Sequence, residues 1–175
     1  CTCMPTGLKA SSGQIIISGK LVESAPNTYT QEEVDLQLNV LDREVFVVTA
    51  VDINCNAPQI LNTGADTEVK CCISTTSRGS VGDISNSNVL GALRLEAQGH
   101  NGGIYVAFDS SSMQTPPTTM DYIGIISTNN FFAALKGNGN NDERTMDYRV
   151  YGYRARATAD VYAALVQSEL LSADV

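Results

Sequence analysis

The run Val45 to Ile53 (VFVVTAVDI) is almost wholly apolar and rich in β-branched residues, and it does most to limit what this chain can become. It is far too short for a membrane helix, which needs ~20 apolar residues. It suits a central strand covered on both faces. Just upstream, Val34, Leu36, Leu38 and Val40 are spaced two apart, with Asp35, Gln37 and Asn39 between them. That alternation predicts a half-buried strand over 34–40. Joined by the tight link Leu41-Asp42-Arg43-Glu44, the two segments read as a hairpin feeding the middle of a sandwich.

Further strands follow the same grammar. Gln14 to Val22 is a β-branched run closed by the turn Ala25-Pro26-Asn27, and strand-like segments recur at 67–76, 90–97, 104–108, 121–127 and 145–157. Gly99 to Gly103 contains Asn-Gly, a strong hairpin signal. The period changes after Thr158. Val161, Leu165 and Ser168 repeat at helical spacing, Thr158 can cap, and Asp160 suits the helix dipole, so a helix is predicted over 159–172. The fold class is mainly β: an antiparallel β-sandwich, with the jelly roll among its forms, and one C-terminal helix. Residues 1–12, short on periodicity and rich in Ser, Thr, Pro and Gly, read as an N-terminal arm, and 13–175 as a single β-rich domain.

Composition narrows the function classes. The 175 residues suit one ordinary domain, and 43% apolar with 17% charged residues is a globular balance. Eleven Lys and Arg stand against 19 Asp and Glu, a net charge of −8, which disfavours direct nucleic-acid binding. The five cysteines, Cys1, Cys3, Cys55, Cys71 and Cys72, are an odd number and read as reduced and mostly buried. A Cys at position 1 also fits a processed, lipid-anchored protein.

Motifs that carry chemistry are scarce. His100 is the single histidine and sits in the Asn-Gly hairpin, and no GxSxG elbow surrounds any Ser. No phosphate-binding glycine loop follows a strand. The turn Asn140-Asn141-Asp142-Glu143 offers oxygen ligands without the spacing of a calcium cage. The reading is therefore of no enzyme, with no catalytic, cofactor or metal residues. The absence of Trp weakens a glycan site, although seven Tyr remain.

The most distinctive stretch is RTMDYRVYGYRAR, 144–156. Its Arg144, Tyr148, Arg149, Tyr151, Tyr153, Arg154 and Arg156 form a candidate interface, since Arg and Tyr give large contact area and directed hydrogen bonds. Two other readings stay open: an edge strand whose arginines discourage unwanted pairing, and a nucleic-acid surface.

Taken together, LDREVFVVTAVDINCNAP (41–58), CCISTTSRGSVGDISNSNVLG (71–91), the stretch 121–157 and TADVYAALVQSEL (158–170) resemble viral coat or capsid proteins, in particular those of phages and other viruses of environmental microbes. The resemblance is one of apolar strands, long Ser/Thr/Asn loops and a terminal arm or helix. It implies a self-assembling capsid or decoration subunit located in the virion. The partners it implies are copies of itself and other virion subunits, without a membrane span. The alternative is a secreted or lipid-anchored surface protein, either a filament subunit or a glycan-binding module.

Overall fold

The computed structural model describes residues 5–61, 63–100, 104–111 and 120–172. Nine strands run in chain order as β1 (Leu8–Val22), β2 (Thr30–Asp35), β3 (Glu44–Cys55), β4 (Thr67–Ser74), β5 (Val89–His100), β6 (Ile104–Ser111), β7 (Gly124–Ile126), β8 (Asn130–Asn138) and β9 (Thr145–Ala157), followed by helix α1 (Ala159–Ser172). They form a four-stranded sheet in the order β1-β9-β3-β7 and a five-stranded sheet in the order β2-β8-β4-β5-β6. All pairings are antiparallel. The antiparallel β-sandwich with one C-terminal helix is thus the observed fold.

The pairing is nested. β1 pairs with β9, β2 with β8 and β3 with β7, as if one long hairpin had been wound round the core. The expected hairpin of 34–40 with 45–53 does not form, because its two halves lie in opposite sheets. β2 stops at Asp35, and Gln37 takes a left-handed backbone with φ of 52° that no strand can continue through. The alternation survives only as burial. Leu36 and Leu38 are buried, held by hydrogen bonds from their N–H groups to the Asn129 carbonyl and side-chain oxygens, whereas Val40 is exposed in a 3-10 turn. At the start of the chain, β1 begins at Leu8, so residues 8–10 of the expected arm pair with β9, and Ser11 and Ser12 lie in a bulge of the same strand.

The run 45–53 behaves as its composition requires. β3 lies between β9 and β7, and both of its faces are covered. Phe46, Val48 and Val51 join the core between the sheets, with Val69, Cys71, Ile73, Ile126, Phe131, Leu135, Met146 and Val150. Val45 and Val47 face the other way, onto a second cluster with Ala155, Ala157, Val161, Tyr162 and Leu165, which is where α1 docks. A bulge between Val48 and Ala50 changes the phase of the strand, so that odd-numbered Val51 turns inward.

Helix α1 is latched at its far end by Glu169. This buried carboxylate accepts hydrogen bonds from Ser127 N (3.1 Å), Ser127 Oγ (2.5 Å) and Thr128 N (2.8 Å). The next two residues, Leu170 and Leu171, are left 62% and 68% exposed. No described helix is long and apolar enough to cross a membrane.

Candidate functional site

β9 is a central strand between β1 and β3, so the edge-strand reading of its arginines does not hold. Strand alternation divides the seven candidate residues between different environments. Tyr148 points into the core, edge-on to the Phe131 ring at 6.2 Å, with its hydroxyl 3.5 Å from Glu32 Oε2. Burial and the Glu32 carboxylate push its phenol up to about 12. Arg144 is buried, donating from Nε to the Asp142 carbonyl and from Nη1 to the Ala57 carbonyl.

Arg154 is a clamp at the other end of the strand. It donates to the carbonyls of Leu36 (2.9 Å) and Gln37 (3.2 Å) and to Glu44 Oε2 (3.2 Å). Arg156 reaches Asp42 at 3.4 Å in an exposed pair of a kind that adds little stability. What remains on the outer face is Arg149, exposed and opposite both Ser18 and Asp52, with half-buried Tyr151 and Tyr153. Burial, with Asp121 and Tyr122 nearby, raises the Tyr153 phenol. The stretch therefore leaves Arg149, Tyr151 and Arg156 on the surface, while Arg144, Tyr148 and Arg154 hold the fold and Tyr153 packs against the cluster beneath α1.

Glu44 yields a pH prediction. Burial alone would raise its carboxyl, but the Asn39 N–H, the Arg154 guanidinium and the Ser11 hydroxyl outweigh burial and hold it below the usual carboxylate range. A carboxyl lowered in the folded state contributes stability above its unfolded pKa, and that stability disappears as pH falls through the folded value. Glu44→Gln is expected to cost about 1–2 kcal/mol at neutral pH. In urea titrations across pH, the gap from the parent should close in the acid range below the ordinary carboxylate value. A gap of constant size would show that charge at Glu44 is not the cause.

The loop over 75–88 folds back onto the outer face of the five-stranded sheet. Gln31 Oε1 accepts from Arg78 N, the Tyr29 hydroxyl donates to the Arg78 carbonyl, and Gly82 N donates to Cys72 Sγ at 3.3 Å. Burial and the nearby Cys72, opposed by Arg78, push the Tyr29 phenol up to about 12. Between this loop and the sheet lies a cavity of ≈ 420 Å³, lined by Lys70, Asp83, Ser85, Arg94 and Ser110 among others. Its cations are already engaged, Lys70 with Glu68 at 3.2 Å and Arg94 with Glu68 and Glu96.

The other candidate groups are placed as follows. His100 is exposed at the end of β5, paired with Ile104. Cys71 and Cys72 are both buried, on opposite faces of β4, and Cys55 is half-buried; all three are free thiols. Cys1, Cys3 and the Asn101-Gly102 turn lie outside the described residues. In the acidic turn, Asn140 Oδ1 accepts from Gln59 N, and Asp142 Oδ2 accepts from the Gln59 side chain.

Sequence reasoning passed over one surface. β6 is the outer strand of the five-stranded sheet, with Val106 43% and Phe108 51% exposed. The available signal was the run Ile104-Tyr105-Val106-Ala107-Phe108, which holds no charge until Asp109.

No family model matches the sequence, and no curated protein matches it. Among solved structures, this chain is similar to one from Desmodium yellow mottle tymovirus, over 90% of this chain and 96% of that chain, at 13% identity and a TM-score of 0.31.

Proposed function

We propose that the chain is a structural subunit that assembles with copies of itself into a shell, as a virion coat or decoration protein. The observation that carries this reading is the contrast among the four sheet edges. Exposed strand edges invite pairing with another chain, and proteins that stay apart blunt them with charge, bulges or short strands. β1 carries Lys9, Lys20 and a bulge between Ala10 and Gln14. β2 carries Glu32, Glu33 and Asp35, and β7 is three residues long. β6 is eight residues long, has no bulge against β5, and carries a single charge, Asp109, near its end. Its register with β5 is unbroken from Leu93–Ser111 to His100–Ile104, and among the described residues it has a neighbour on one side only.

Two other features support the reading. The nested strand order fits a jelly roll with β6 added at one edge, and jelly rolls serve in viral capsids among other roles. This is support by analogy of fold. The exposed Leu170 and Leu171 at the end of α1 supply a second apolar contact surface.

Light scattering and negative-stain electron microscopy across a concentration series test the proposal. Closed particles or defined oligomers are expected, and open filaments would favour a surface-filament subunit instead. Val106→Lys places a charge on the open edge. It should weaken self-association about tenfold to a hundredfold. Its melting temperature should match the parent's, because the site is exposed. A parent protein that stays strictly monomeric at high concentration would overturn the reading.

A further inference from the structure

Cys55 and Cys71 lie in facing sheets, yet their thiols meet. Cys55 is the last residue of β3 and Cys71 lies within β4, and both belong to the core cluster between the sheets. The two inward-facing side chains interact with each other across the core. Their exposures differ: Cys55 is half-buried, whereas Cys71 is 0% exposed. Cys72 provides an internal contrast, since it faces away from the pair and is engaged by Gly82 N.

We propose that Cys55 and Cys71 are a redox site, at which a small-molecule disulfide converts the thiol pair into a disulfide linking the two sheets. Exposure assigns the roles. Cys55 is the thiol a reagent from solvent can reach, and Cys71 is the buried thiol that resolves the first product. In the first step the Cys55 thiolate attacks one sulfur of the oxidant, RSSR. A Cys55–S–S–R bond forms, the RS–SR bond breaks, and RS⁻ leaves. In the second step Cys71 gives up its proton to the departed RS⁻ and attacks Cys55 Sγ. The Cys55–Cys71 bond forms, and a second RS⁻ leaves and takes up the Cys55 proton released at the start. Two protein thiols are oxidised to one disulfide, and one RSSR is reduced to two RSH.

The electrostatics agree with this order. The hydrogen bond with Cys71 lowers the Cys55 thiol, opposed by burial, which favours thiolate at the reachable position. The hydrogen bond to Cys55, burial, and the nearby charges of Cys55, Cys72 and Glu23 all raise Cys71. The link closes the crossover between β3 and β4, so it restrains the unfolded chain and should raise the midpoint of unfolding. This inference stands on the interior of the sandwich and does not depend on assembly.

The test uses the full chain, treated with oxidised glutathione, blocked with iodoacetamide, and digested without reduction for mass spectrometry. The expected product joins the peptides of Cys55 and Cys71 and is two hydrogens lighter than their sum. Fragmentation assigns the link to Cys71 in place of its neighbour Cys72. The link should survive in Cys72→Ala. In Cys71→Ala it should be lost, with Cys55 retained as a stable glutathione mixed disulfide. In the parent protein, a Cys55 mixed disulfide beside an alkylated Cys71 would overturn the proposal, as would a dominant link from Cys55 to Cys72, Cys1 or Cys3.

Discussion

Replacing Gly152 by alanine should lower the melting temperature by about 6–12 °C, a loss of about 3 kcal/mol. Gly152 sits in β9 opposite Val48, beside the bulge that turns β3 inward. A methyl group there would run into the Val47 carbonyl oxygen and come within 2.5 Å of the Phe46 ring. The first obstacle is backbone, which can move only by opening the β3–β9 ladder. The second is one of the largest fully buried side chains. Gly13→Ala is the control. It lies within β1 with nothing within 4 Å of its added carbon, and it should change stability by less than about 0.5 kcal/mol. If both variants melt with the parent, the close packing of Phe46 on β9 is wrong.

Glu23→Ala should be as damaging, at about 3–5 kcal/mol. Glu23 is buried just past β1, and its two carboxylate oxygens bind different sheets. Oε1 accepts from Gly137 N at 2.6 Å in β8, and Oε2 accepts from Arg144 N at 2.8 Å at the entry to β9. Its own N–H donates to the Arg144 carbonyl at 3.0 Å. Removing the carboxylate strands two buried N–H donors, and the penalty for unpaired buried donors exceeds the gain from making the bonds. Glu23→Gln keeps the shape and one accepting oxygen but sets an NH2 group against the other donor, so its cost should be about half. In urea, the midpoint should fall in the order parent, Gln, Ala, with an unchanged slope. An alanine variant as stable as the glutamine variant would show that the two hydrogen bonds do not tie the sheets together.

These two residues mark where the sequence was legible and where it was not. The apolar run 45–53 reveals a doubly covered strand because burial on both faces needs little beyond composition. The helix over 159–172 follows from its period and from Thr158, whose carbonyl accepts the Tyr162 N–H. The alternation at 34–40 misleads because Leu36 and Leu38 are buried without a ladder, anchored instead by Asn129, which lies far along the chain. The Arg-Tyr stretch reads as a surface from its composition, yet Arg144 and Arg154 spend their guanidinium groups on backbone carbonyls that only the folded chain brings near. Glu23 shows no local signal at all. Its partners are more than a hundred residues away, and no pattern of neighbours distinguishes it from an ordinary surface acid.

The nested pairing also governs the order in which the molecule can come together. β3 carries the long apolar run, and both of its neighbours, β7 and β9, are made after it. At the usual pace of synthesis, Val45–Ile53 waits on the order of ten seconds for the strand that will cover its flank. Pairings so distant along the chain also place folding toward the slow end for single domains, in milliseconds to seconds. During that interval the nascent chain relies on its acidic charge and its Ser/Thr/Asn-rich links to avoid aggregation. The arrival of Thr145–Ala157 is therefore the closing event, and it completes both flanking ladders of the four-stranded sheet in one step.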